Sequence, residues 1–165
     1  MMATSLEELR VLRDAEAVAD GIWKSVVKWK PFARDVVGGQ LARAVDSIGA
    51  NVAEAYGRFH YGEKLQFLYY ARGSLFETKY WLNRALTRGL IATDQAQHYA
   101  LQLTEVARQL NAFAGSIKQQ RRGKPAQSEV REAPGGYVAD ARLFSEVELE
   151  WLQAVQSADL ERDLE

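Results

Sequence analysis

Apolar residues return at intervals of three and four through most of the chain. No stretch alternates with the period of two that a half-buried strand requires. The first apolar run follows Ser5-Leu6-Glu7-Glu8, a capping-box pattern in which Ser5 accepts from the Glu8 N–H. Leu9, Leu12, Ala19, Ile22, Trp23, Val26 and Val27 then mark one helical stripe. Pro31 closes this helix, because a residue before proline is pushed out of the α region. A second helix opens after Gly38-Gly39 with Leu41, Val45, Ile48, Val52, Ala55 and Phe59 along one face. Gly57 and Gly62 bracket a short connection. The third helix carries Leu65, Leu68, Ala71, Leu75, Thr78, Leu82, Ala85 and Leu86, and Gly89 suits the position just past its end. Thr93 or Asp94 is the expected cap of a fourth, which carries Tyr99, Leu101, Leu103, Val106, Leu110, Phe113 and Ile117 and runs to about Lys118–Arg122.

Short loops make successive helices antiparallel neighbours, so this order predicts an all-α fold, an up-down four-helix bundle. Residues 1–122 form the bundle in this reading, and 123–165 form a linker and an acidic tail with a short extra helix. Pro125, Pro134 and Gly135-Gly136 mark the linker. Ser145-Glu146-Val147-Glu148 is a second capping box, and Leu149, Leu152, Val155 and Leu160, with Trp151, supply a face able to dock. A tail carrying Phe144 and Trp151 is expected either to bury them on the bundle or to offer them to a partner.

Composition narrows the chemistry. The 165 residues include no cysteine, which removes disulfides, thiolate metal sites and cysteine nucleophiles together. Two histidines, His60 and His98, are too few for most metal or acid–base sites. A di-iron centre in a helical bundle needs Glu-x-x-His motifs on two helices, and none is present. No serine sits in a nucleophile elbow, and Gly38-Gly39 lacks the context and lysine of a phosphate loop. The expectation is a protein with no catalytic residues, no metal and no cofactor. Charged residues within the first fifteen argue against a signal peptide, and no apolar run approaches a membrane span. A cytoplasmic protein with no membrane partner is therefore expected.

The net charge of −1 is a cancellation. Residues 1–124 hold 18 Lys and Arg against 12 Asp and Glu, whereas residues 125–165 hold 3 against 10. Two solvated regions of opposite sign would explain this, as would a basic interaction surface beside an acidic competitor.

Two motifs carry a family resemblance. The first is Gln40-Leu41-Ala42-Arg43-Ala44-Val45-Asp46-Ser47-Ile48-Gly49-Ala50-Asn51-Val52-Ala53-Glu54-Ala55-Tyr56-Gly57-Arg58. The second is Phe67-Leu68 followed by Ala71-Arg72-Gly73-Ser74-Leu75-Phe76-Glu77. Together they resemble the 23S rRNA-intervening-sequence proteins, also called the four-helix-bundle protein family, over roughly residues 10–120. Ala55 stands where many members have glycine, and His60 where a helix-capping serine is common. The resemblance implies a small non-enzymatic bundle that forms a homo-oligomer, a five-fold ring (a pentamer). A related branch serves diversity-generating retroelements as a basic accessory barrel contacting reverse transcriptase and nucleic acid. This chain is less basic than such a barrel.

Arg43, Ser47, Asn51, Glu54 and Arg58 line one polar stripe of the second helix. Such a stripe is commonly a solvated face. Here Gly49, Ala50 and Ala53 keep neighbouring positions small, so a structural polar network or subunit contact is expected, joined by Arg72 and Glu77. Glu54 has two partners to choose from, Arg58 on its own helix or Arg72 across helices. Lys118, Arg121, Arg122 and Lys124 crowd the end of the fourth helix. Cations there complement the helix dipole at about 0.3–1 kcal/mol each, which accounts for one or two but not for the run. With Arg58 they are the candidate polyanion-binding residues, and RNA or a nucleoprotein is the expected partner. The competing expectation is a protein–protein adaptor that uses Phe144 and Trp151 of the tail and has no nucleic-acid role.

Overall fold

A computed structural model describes Leu6, residues 9–123 and residues 142–154. Among these every regular element is helical: α1 (Arg10–Val26), α2 (Pro31–Ala33), a π-helical segment (Arg34–Gly38), α3 (Gly39–Gly57), α4 (Tyr61–Thr87), α5 (Thr93–Arg122) and α6 (Glu146–Gln153). The fold is all-α. Ser5, Glu7 and Glu8 of the first capping box lie outside the described residues. So do Lys124, Val155 and Leu160.

Most of the apolar stripes become the core, but Trp23, Val27, Phe59 and Leu101 are exposed. Val18, Ile22, Leu41, Ile48, Leu68, Leu75, Leu82, Leu103 and Leu110 are almost wholly removed from water. α3 packs between α1 and α4, and α5 between α4 and α1, so the contacts close a ring of four long helices. Arg10 and Asp14 at the start of α1 meet Glu105 and Gln109, whereas Gly21 and Ser25 near its end meet Tyr99 and Gln95, earlier in α5. These two helices are therefore antiparallel.

Helix ends follow the sequence unevenly. Gly89 sits at φ 66°, where a side chain would be strained. Its N–H donates to Leu86 O at 3.0 Å, and the Leu90 N–H donates to Ala85 O at 2.9 Å, a Schellman closure of α4. Ser145 caps α6 through the reciprocal box with Glu148. At α5 the expectation is corrected: the N-cap is Ala92, and Thr93 and Asp94 are inside the first turn. Asp94 there complements the helix dipole instead of capping it. His60 is the N-cap of α4 in extended conformation, without a side-chain cap bond.

The second long helix also starts earlier than Gly38-Gly39. Pro31 is its first residue, a position where the missing N–H costs nothing. The backbone then stays helical through both glycines, and the Gly39 N–H donates five residues back to Arg34 O. Gly38 is there for packing: a Cβ on it would lie 2.5 Å from Val26 Cγ1. Gly38 is a close approach to the end of α1, and the pair of glycines is not a helix break.

Candidate functional site

The expected polar network divides into three parts. On α3 the Ser47 hydroxyl donates to Arg43 O at 2.7 Å, and the Asn51 amide donates to Ser47 O at 2.8 Å. Asn51 also reaches the Ser74 hydroxyl of α4 at 3.5 Å. These are mostly bonds back to the preceding turn, which satisfy the side chains locally. The Arg43 side chain itself is exposed. Glu54 takes the first of its two expected partners, Arg58.

Arg72 is elsewhere. It donates to Leu143 O at 2.5 Å and forms an ion pair with Glu148, so its charge is committed to the segment leading into α6. Its guanidinium also lies over Phe76, 4.7 Å from the ring centre. Glu77 is exposed on α4 and lies away from this contact face.

Around Arg72 the structure assembles a docking face that the sequence reading did not name. Lys79 donates to Trp151 O and lies 3.5 Å from the centre of the Trp151 ring. Lys79 is only 4% exposed, and burial pushes its ammonium down to about 8. Asn111 of α5 reads the Phe144 backbone twice, donating to its O at 2.9 Å and accepting from its N–H at 2.7 Å. Leu143, Phe144, Leu149 and Leu152 enter the same apolar core as the long helices. Phe76 packs against both Phe144 and Trp151, at 5.7 and 5.4 Å between ring centres. The signal was present in the sequence: Arg72, Phe76 and Lys79 are spaced by four and three, which places them on one face of α4.

The candidate polyanion-binding residues lie in two places. Lys118 is half-buried near the end of α5, while Arg121 and Arg122 are exposed in its last turn. Arg58 is at the α3–α4 turn, where it pairs with Glu54 and covers the Phe67 ring at 4.6 Å. It borders a shallow cleft of about 260 Å³ with Glu63, Gln66, Phe67 and Tyr70.

The small residues of α3 form one wall of a second groove of about 260 Å³ against α1. Ala15, Ala19, Gly49, Ala50 and Ala53 line it, with Asp20 and Asp46 at its edge. Partial burial, and then the Asp20 charge, push the Asp46 carboxyl above its ordinary value. Among the described residues no group of three His, Asp or Glu side chains is placed to hold a metal ion, and no helix is long and apolar enough to cross a membrane.

No curated protein matches the chain. The family description of the 23S rRNA-intervening sequence protein matches residues 7–112, which takes in α1 to α4 and most of α5 but stops short of α6. With more than half of its length matched, and with the helical core those residues build, the chain belongs to the 23S rRNA-intervening sequence protein family.

Proposed function

We propose that the chain is a non-enzymatic helical scaffold that assembles with copies of itself, as a five-fold ring by family resemblance, and contacts RNA or a nucleoprotein through the basic end of α5. The observation that carries this reading is the cluster of Lys118, Arg121 and Arg122 in the last turns of that helix, with both arginines facing water. One or two cations satisfy a helix end, and a ring would gather the surplus of several copies at one rim. The family's name ties its members to 23S rRNA, which supports a ribonucleic partner. The acidic residues beyond 125 would compete with RNA for the same surface.

Arg58 contributes less in this scheme, because its charge is already shared with Glu54 and Phe67. The adaptor reading keeps only Trp151, at 47% exposure, since Phe144 is fully inside the bundle. The test is RNA binding across a salt series, comparing the full chain with its Lys118→Gln, Arg121→Gln, Arg122→Gln variant. Loss of three phosphate contacts should lower the slope of log affinity against log salt by about 2 for single-stranded RNA. Equal slopes would contradict the proposal.

A further inference from the structure

The face that α6 covers has the properties of a peptide-docking groove, and α6 has those of its ligand. Arg72 and Asn111 grip the backbone at one end, at Leu143 O and at both polar groups of Phe144. Lys79 grips the other end at Trp151 O. Between them Phe144, Leu149 and Leu152 fill apolar space. Cations on the groove face acidic α6, whose Glu148 is the ion-pair partner of Arg72. α6 has only eight residues, too short to persist as a helix in water by itself. It is folded because it is docked.

Its covalent connection favours its own groove but does not confine it there. Asn111 holds Phe144, and α5 rises about 18 Å from there to Gly123. Residues 124–141 connect Gly123 to Arg142, and a chain of that length spans up to about 60 Å when extended. The tether therefore far exceeds what docking on its own bundle needs. We propose that the α4–α5 groove is an interaction site for this segment in general, and that α6 of a second copy of the chain enters it when two copies meet. The segment then acts as an exchangeable clasp between copies. This goes beyond the scaffold reading and does not depend on RNA.

The full chain carrying Phe144→Ala and Leu149→Ala leaves the groove residues intact while weakening their resident. A fluorescent peptide of residues 142–154 should bind this opened chain saturably. It should bind the wild type roughly tenfold more weakly, because the tethered α6 occupies the site at high effective concentration. Adding Arg72→Ala to the opened chain should cost roughly tenfold in affinity. Wild-type chains carrying a photocrosslinker at Trp151, mixed with opened chains, should give a mixed crosslinked species joined to the opened chain's α4 near Lys79. An opened chain of unchanged helix content that ignores the peptide would overturn the groove. Peptide binding without mixed species would overturn the exchange. Should the opened chain lose its fold, amide exchange on the wild type decides instead. Leu149 and Leu152 must exchange roughly tenfold faster than Leu75 and Leu110, and equal protection would refute a removable clasp.

Discussion

The α1–α5 seam and the α6 dock both place a helix against its neighbours, but different forces fix them in position. Along α1–α5 the buried residues are aliphatic, with Tyr99 as a latch whose hydroxyl donates to Gly21 O at 2.7 Å and meets Ser25 Oγ at 3.0 Å. The ion pairs there, Arg10 with Asp14 and Glu105, are exposed and add little. At α6 four apolar side chains reach the core over a much shorter helix, and cations, an amide and stacked rings hold both ends. Long helices bury enough surface for a non-directional force to hold them. A short helix does not, so directional bonds must fix its place and register.

The largest test of this contrast is a pair of cavities. Leu75→Ala, at a site with no exposure, should cost about 2–5 kcal/mol of global stability in urea unfolding. Phe144→Ala empties an equally buried site, yet it should cost less than about 2 kcal/mol, because α6 can leave and the long helices remain folded. Equal costs would make α6 part of the global folding unit. Glycines give the next largest effect. Gly38→Ala forces a Cβ into Val26 and should destabilise by about 1–3 kcal/mol. Gly73→Ala meets nothing within 4 Å in α4 and should raise the melting temperature, by about 0.5–1 kcal/mol of stability. Tyr99→Phe removes the latch from the α1–α5 seam, for about 1 kcal/mol in the same unfolding assay.

The smallest effect concerns pH at the dock. Below pH 8 Lys79 is charged in folded and unfolded chains alike, so it adds no pH dependence there. From about 8 up to its ordinary value of 10.5 only the unfolded chain holds the proton, so the lysine's contribution to stability rises with pH. Lys79→Met cannot show this rise. Melting temperatures of the two proteins should therefore move in favour of the wild type between about pH 7.5 and pH 10. A constant difference would mean that Lys79 is better hydrated than its burial indicates.

Much of this was legible in the sequence where a local rule sufficed. Most of the apolar stripes became the core, Gly89 closed α4, and Ser145-Glu146-Val147-Glu148 capped a helix that docks. The two family motifs pointed to the family that the match over residues 7–112 shows. Errors arose where a neighbouring helix decided the outcome. Gly38-Gly39 read as a break because glycine is a poor helix former, while the contact with Val26 that requires Gly38 comes from α1. Arg72 had Glu54 as its visible partner, and its actual partners lie over seventy residues further along the chain. Helix periodicity could place Arg72, Phe76 and Lys79 on a common face, but not say what would cover it.

The π-helical segment has a consequence for how the chain can change length. A wide turn contains one more residue than an α turn, so it absorbs an insertion without shifting the phase of the helix that follows. Deleting one residue between Arg34 and Gly38 would restore a regular turn and leave Leu41, Val45 and Ile48 facing the core. The Pro31 turn upstream would keep its direction too, because the wide turn is what holds the extra residue. One-residue length variants within this segment should therefore keep both the exit from α1 and the core that α3 builds.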